Sequence, residues 1–295
     1  MDSQTIMSFA SVAIGTIAFA ILGPIIGCLL DGIDRKISAH MQGRVGPKIL
    51  QPYWDVRKLL GKERASVNTT EGTYINAALF FALVAGGIFF SGGNFLLVVF
   101  IITLSSLFFI VAAYSTRSPY AEVGAHRETL QVMSYEPMVL LTSVILFMAA
   151  GTFNVSGLLT MRMPLIATAW GVFLGLLFVL TIKLRKSPFD ISMSHHAHQE
   201  IVRGVTTEMS GPTLAKVEIM HWYENVLFLG WVGMFFVWGN VVSVILAVVA
   251  VLVVYFLEIL IDNNFARVKW QVMLGSAWLV ALVAGTLNIA LLMFF

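Results

Sequence analysis

The sequence predicts an all-α, polytopic membrane protein with about eight transmembrane helices and an amphipathic surface helix after the first, and three observations carry that reading. The composition is 58% hydrophobic and 12% charged, against roughly 45–50% apolar and about 25% charged in a soluble domain. Apolar stretches that meet the hydrocarbon requirement of about 20 residues, with roughly 17 tolerated, recur about eight times. Of the 18 Lys and Arg residues, 17 fall in four alternate gaps between those stretches, and only Arg162 lies in an intervening gap. Cations beside a spanning helix stay on the cytoplasmic face, so the alternation predicts a topology with both termini outside.

Taken in order, the first span is expected at 9–30, preceded by Asp2 and no cation, which argues against a secretory signal with its positive leading region. A cytoplasmic excursion, 31–73, follows. Within it Gly43, Gly46 and Pro47 favour a tight turn. From there Ile49, Leu50, Tyr53, Trp54, Val56, Leu59 and Leu60 recur at helical spacing, with Asp55, Arg57, Lys58 and Lys62 mostly between them. That pattern predicts an amphipathic helix over 49–62, either an interfacial anchor or a docking surface, with its aromatic pair at headgroup level. The further spans are expected at 74–90, 95–114, 132–150, 165–182, 214–238, 241–261 and 272–295. A second cytoplasmic excursion, 183–213, is long for a connection between packed helices, and long loops tend to carry function. No repeat, acidic or basic tail, or low-complexity segment divides the chain, so a single transmembrane helical domain over 1–295 is expected.

The single cysteine, Cys28, excludes an intrachain disulfide and an iron–sulfur cluster held by this chain alone, which needs about four thiolates. The net charge of +2 gives no footprint for nucleic acid, because topology accounts for the basic residues. His195, His196 and His198 lack a partner cysteine and match neither helix-face nor zinc-finger spacing. They read as polar residues at a subunit contact or as proton carriers. Gly23 with Gly27, and Gly171 with Gly175, are four residues apart and allow close approach of helices.

Five carboxylates lie in or beside apolar stretches: Glu128, Glu136, Glu218, Glu224 and Glu258. A charge in hydrocarbon costs about 2.5–3.5 kcal/mol on insertion scales, so such groups face a wet cavity or a partner, unless the helices start deeper in the interface. Glu136 is followed by Pro137, which is expected to place it in the first turns of its helix. Glu128 and Glu136, about two turns apart, are expected to face one cleft.

Several motifs in order resemble a known family. They are Asp34-Arg-Lys36, Gln42-Gly-Arg-Val-Gly-Pro47, the run from Leu50 to Glu63, Ser134-Tyr-Glu136, Lys186-Ser-Pro-Phe-Asp190, His198-Gln-Glu-Ile-Val-Arg-Gly204 and Thr207-Glu-Met-Ser-Gly-Pro212. Together they resemble the subunit that lines the quinone site of respiratory complex I and its hydrogenase relatives. The quinone-reducing members carry an acidic run after the Pro-Phe-Asp motif, whereas this chain has Ser192-Met-Ser-His-His-Ala-His198. That departure, with the Leu-Gln-Pro-Tyr-Trp-Asp form of the first loop and the run from Val217 to Glu224, is similar to the membrane anchor subunit of energy-converting, membrane-bound nickel–iron hydrogenases of the Ech type.

The resemblance implies a membrane subunit of a ferredoxin-dependent, hydrogen-evolving complex in the cytoplasmic membrane of a bacterium or archaeon. It implies no cofactor in this chain, with a nickel–iron centre and 4Fe-4S clusters in its partners. Those partners would be hydrogenase small and large subunits, an iron–sulfur ferredoxin-like subunit and an antiporter-like membrane subunit. Arg35, Lys36, Arg44, Gln51, Asp55 and Lys58 match the loop that faces the soluble arm, and Asp190, His195, His196 and His198 are further docking candidates. Glu136, Glu208, Glu218 and Glu224 match an acidic proton path, with Glu128 beside it and Glu200 and Arg203 near its entrance. Quinone-site subunit of complex I and membrane subunit of formate hydrogenlyase remain open within the superfamily. A secondary ion transporter is the alternative from another class; it should show inverted repeats and correspondingly interrupted helices, and the sequence displays neither.

Overall fold

The computed structural model describes residues 3–63, 65, 68–193 and 203–294. His195, His196, His198 and Glu200 lie outside the described residues. Among the described residues the regular structure is helical throughout: α1 (Ser3–Met41), α2 (Gln51–Leu60), α3 (Thr69–Phe90), α4 (Phe95–Ser115), α5 (Pro119–Ala150), α6 (Val155–Leu159), α7 (Leu165–Thr168), α8 (Trp170–Lys183), α9 (Gly211–Met234), α10 (Val241–Asn264) and α11 (Trp270–Phe294), with a 3-10 turn at Gly204–Thr206.

Local chemistry explains where several helices begin and end. Asn68, Asn94 and Asn240 sit in extended backbone, and each side-chain oxygen accepts from an amide of the first turn, at 3.1, 3.1 and 3.5 Å, capping α3, α4 and α10. Pro119 and Pro212 occupy opening positions of α5 and α9, where the missing N–H costs nothing. Gly151, at φ 70°, closes α5 in the left-handed conformation.

Among the described residues six helices are long and apolar enough to cross a membrane: Val12–Met41, Thr70–Phe90, Phe95–Ser115, Pro119–Ala150, Val241–Asn264 and Trp270–Phe294. The other two expected spans are helical but differ in kind. The fifth is broken at Ala169 into α7 and α8, and the 14 residues of α8 rise only about 21 Å at 1.5 Å per residue. The sixth, α9, has 24 residues but carries Lys216, Glu218 and Glu224. It is enclosed by protein, packing against α1, α2, α3 and α10, with Trp222, Phe228 and Trp231 buried on it. In contrast α10 turns Val241, Val244, Ile245, Val249 and Leu252 outward, as a lipid- or partner-facing helix does.

Two boundaries differ from the sequence expectation. Helix α1 runs on through Asp31, Arg35 and Lys36 to Met41, so the first excursion begins at residue 42 and not at 31. Helix α5 begins at Pro119, not at 132, and Pro137 lies inside it. Glu136 is therefore mid-helix, and the proline beside it marks no helix start. The surface helix is present at Gln51–Leu60 with two apolar faces: Pro52 and Val56 are buried, the latter with Cys28, Ala215 and Trp222, while Tyr53, Trp54 and Leu60 are exposed. Gly23, Gly27 and Gly175 lie at close helix contacts, whereas Gly171 has only ordinary contacts from 3.4 Å outward. A methyl at Gly27 would meet the Trp222 backbone oxygen at 2.7 Å, and one at Gly175 would meet Met138 Sδ at 2.8 Å.

Candidate functional site: a charged cavity and its buried carboxylates

The inner end of α1, α2, the connection from α8 to α9, and the connection from α10 to α11 converge on one end of the bundle. They enclose a cavity of about 830 Å³. Of the 31 described residues lining it, 14 are Asp, Glu, Lys or Arg, so its character is set by charge pairing. The turns 91–94 and 235–240 and the connection 151–164 gather at the opposite end, tied by Phe95 N to Phe153 O at 2.8 Å and Gly239 N to Leu159 O at 2.9 Å.

Arg35 holds α2 to α1. Its guanidinium grips Asp31 through two hydrogen bonds, of 3.1 and 3.0 Å, and donates to Asp55 Oδ2 at 2.9 Å. Gln51 donates to the other Asp55 oxygen at 2.8 Å. Paired, fork-like geometry of this kind gives a charged contact direction as well as strength. Of the residues expected at the docking face, Arg35, Gln51 and Asp55 thus have partners inside the chain. Lys36, Arg44 and Lys58 are exposed and make no ion pair among the described residues. Asp190 is buried and pairs with Arg267.

Lys186 joins α1 to α10 by pairing with Asp34 and, at 3.3 Å, with Asp262. Asp262 also accepts from Ser187 N at 2.8 Å. Burial works against the lysine's charge, but the two carboxylates outweigh it and hold the ammonium above its ordinary range. Asp190 shows the opposite balance. Burial pushes its carboxyl up to about 7 although Arg267 and Arg185 pull it down, and Asp190 Oδ1 has no hydrogen-bond partner among the described residues.

Arg185 connects the cavity to the bundle interior. Its backbone has φ 53°, and the Lys186 N–H reaches back to Thr181 O at 3.1 Å, closing α8 in a turn that glycine usually fills. From this left-handed position the guanidinium donates to Glu128 of α5 at 3.1 Å and lies 3.8 Å from Glu224 of α9. Despite its burial, these two carboxylates hold Arg185 above its ordinary value. Glu128 is further fixed by the Ser192 hydroxyl, which also contacts Gln131, and Gln131 donates to Phe189 O at 2.7 Å. Close by, buried Lys183 sits 4.1 Å above the Tyr135 ring and 4.9 Å from that of Phe228, donating to Ser106 Oγ at 3.3 Å.

The structure therefore brings Glu128 and Glu224 together through Arg185, and places Glu218 and Arg203 on the cavity wall. Glu136, half-buried, makes no ion pair among the described residues, and Glu208 lies half-buried before α9. Sequence reasoning missed the roles of Lys183, Arg185, Lys186 and Arg267, which enter it only through the alternation of basic residues or a family motif, and that of Asp262, which it does not single out. The opposite charges clustered at the same membrane face were the available signal. Among the described residues no group of three or more His, Cys, Asp or Glu side chains is placed to hold a metal ion.

Residues 14–293 match the family model described as NADH dehydrogenase. The chain is 26% identical over 283 residues to formate hydrogenlyase subunit 4 of Escherichia coli, covering 85% of this chain and 89% of that one. It is 27% identical over 281 residues to hydrogenase-4 component C of the same organism, covering 85% and 87%. An NADH-quinone oxidoreductase subunit of Paramagnetospirillum magneticum is 26% identical over 280 residues, covering 84% and 81%. In fold, a chain of an archaeal respiratory membrane complex, the membrane-bound sulfane sulfur reductase, superposes with a TM-score of 0.83 at 22% identity, covering 94% of this chain and 99% of that one.

Proposed function

The chain belongs to the NADH dehydrogenase family, and on that ground we propose that it is the membrane subunit of a ferredoxin-dependent, hydrogen-evolving nickel–iron hydrogenase complex, anchoring the soluble redox arm and coupling electron transfer to translocation of a proton or sodium ion. Its partners are the hydrogenase large and small subunits, an iron–sulfur ferredoxin-like subunit and an antiporter-like membrane subunit. The cavity end faces the cytoplasm. The nickel–iron centre and 4Fe-4S clusters of those partners supply the redox chemistry, and this chain supplies charge and proton positions.

The observation that carries the reading is Arg185, which lines the cavity and pairs with buried carboxylates from two helices. A change of charge or hydration at the cavity is felt through that guanidinium by Glu128 and Glu224. Moving one charge against 100 mV costs about 2.3 kcal/mol, and one unit of pKa shift supplies about 1.36 kcal/mol. Shifts of roughly two units on one or two acids are therefore sufficient. Glu136, Glu208, Glu218 and Glu200 are the further members of the path, with Arg203 at its entrance.

Two features bear on the choice between this reading and a quinone-site role. The cavity volume lies within the roughly 300–1,000 Å³ typical of small-molecule sites, which favours a quinone. Its lining, nearly half charged among the described residues, departs from the mainly apolar walls such ligands use, and one relative is a hydrogenase component. The test is turnover by the purified complex. Hydrogen from reduced ferredoxin, with an ion gradient in proteoliposomes, supports the proposal; turnover that requires quinone or formate overturns it.

A further inference from the structure

One buried acid stands apart from the Arg185 pair. Glu258, on α10, is 2% exposed. Its Oε1 lies 3.5 Å from Thr181 Oγ1, and its Oε2 has no hydrogen-bond partner among the described residues. The groups that act on it are Thr181 of α8, Lys186 of the following loop and Asp262 on α10 itself, with Asp34 of α1 behind Lys186. Lys186 is already engaged by Asp34 and Asp262. A permanently charged carboxylate in this apolar setting is costly.

The Thr181 hydroxyl carries one hydrogen and has two acceptors in reach, Leu177 O at 3.4 Å and Glu258 Oε1 at 3.5 Å. When Glu258 is protonated, its O–H donates to Thr181 Oγ1 and the hydroxyl donates onward to Leu177 O. When it is ionised, the hydroxyl turns and donates to the carboxylate. Rotation of one hydroxyl thus accommodates both states. Asp262, four residues along α10, occupies the neighbouring position on the same helix face and lines the cavity. Two carboxyl oxygens and one hydroxyl fall short of the six or so oxygens that a hard metal cation takes, so the ligand these groups suit is a proton.

We propose that Glu258 and Thr181 form a proton-binding site beside the charged cavity, between the cavity-lining positions Tyr255 and Asp262 of α10, exchanging with it through Asp262. Loading moves one proton from a hydronium ion in the cavity, by way of the Asp262 carboxylate, to a Glu258 oxygen, leaving water behind; unloading reverses it. As a step in ion translocation this rests on the proposed function, but as a proton-binding site it does not.

The test is infrared spectroscopy of the intact purified complex, titrated with pH and repeated in D₂O. The wild-type minus Glu258→Gln difference is expected to contain one protonated-carboxyl C=O band that vanishes at high pH and shifts in D₂O. Thr181→Val is expected to displace that band, and it provides the readout should Glu258→Gln fail to assemble. The absence of such a band at every pH, a band that neither titrates nor exchanges, or an unmoved band in Thr181→Val overturns the site. Absence of an ion gradient in wild-type proteoliposomes sinks the proposed function and leaves this result standing.

Discussion

Arg185 Nη2 lies 3.1 Å from Glu128 Oε1, joining the turn that ends α8 to the buried face of α5. An arginine in the left-handed conformation is held there against a backbone preference of about 1–3 kcal/mol, and its ion pairs provide the compensation.

That balance gives opposed expectations for Arg185→Gly. Backbone relief alone would stabilise the protein, whereas stranding two buried carboxylates costs about 3–5 kcal/mol. We expect a net loss of thermal stability in the purified complex, partly restored by adding Glu128→Gln. A stabilised single variant would show that the backbone, and not the pairing, governs this site.

Asp190 predicts a pH dependence. Its folded value is raised to about 7 from 3.8, so between those limits the folded state holds a proton that the unfolded state has released. The stabilisation from that proton is complete below about 3.8 and is lost as pH rises through about 7, with a slope of up to about 1.4 kcal/mol per unit. Melting temperatures measured from pH 5 to 8 should fall more steeply for wild type than for Asp190→Asn. Parallel curves would contradict the assignment.

The cations at the cavity rim divide into two groups. Arg44 and Lys58 are exposed and make no ion pair among the described residues, whereas Arg35 grips Asp31 and Asp55. Charge reversal of Arg44 and Lys58 together should release the soluble arm at a lower salt concentration while leaving the membrane subunit folded, read by size exclusion across a salt series. Arg35→Ala should instead loosen α2 from α1, detected as faster proteolysis within 42–68.

Glu136 sits mid-helix in α5, half-buried and without an ion pair among the described residues. Glu136→Gln is expected to leave hydrogen evolution by detergent-solubilised complex largely intact and to abolish gradient formation in proteoliposomes. Normal pumping by this variant would remove Glu136 from the path.

The helices and the surface element were legible because their signals are local. Apolar length marks the spans, and the helical recurrence of Ile49, Leu50, Tyr53, Trp54, Val56, Leu59 and Leu60 marks the surface helix, of which Val56 packs inward. The start of α5 was hidden because its first turns carry Glu122, Arg127, Glu128 and Gln131, which read as loop by hydropathy, although Pro119 after Ser118 is a helix-start signal in its own right. The cavity network was hidden for a different reason. Lys186 and Asp34 are 152 residues apart, and Arg267 and Asp190 are 77 apart, so no spacing rule relates them. Arg185 was masked by its own usefulness as a topology marker, since a cation after a span is expected whether or not it turns inward.

The central claim, that this chain anchors a hydrogenase arm to the membrane, is tested most directly by isolating the complex through this chain in mild detergent and analysing its subunits, nickel and iron together. The account predicts nickel and iron with a hydrogenase large subunit, and no NADH-oxidising module. A nickel-free assembly with bound quinone, or the chain alone as a homo-oligomer, would contradict it.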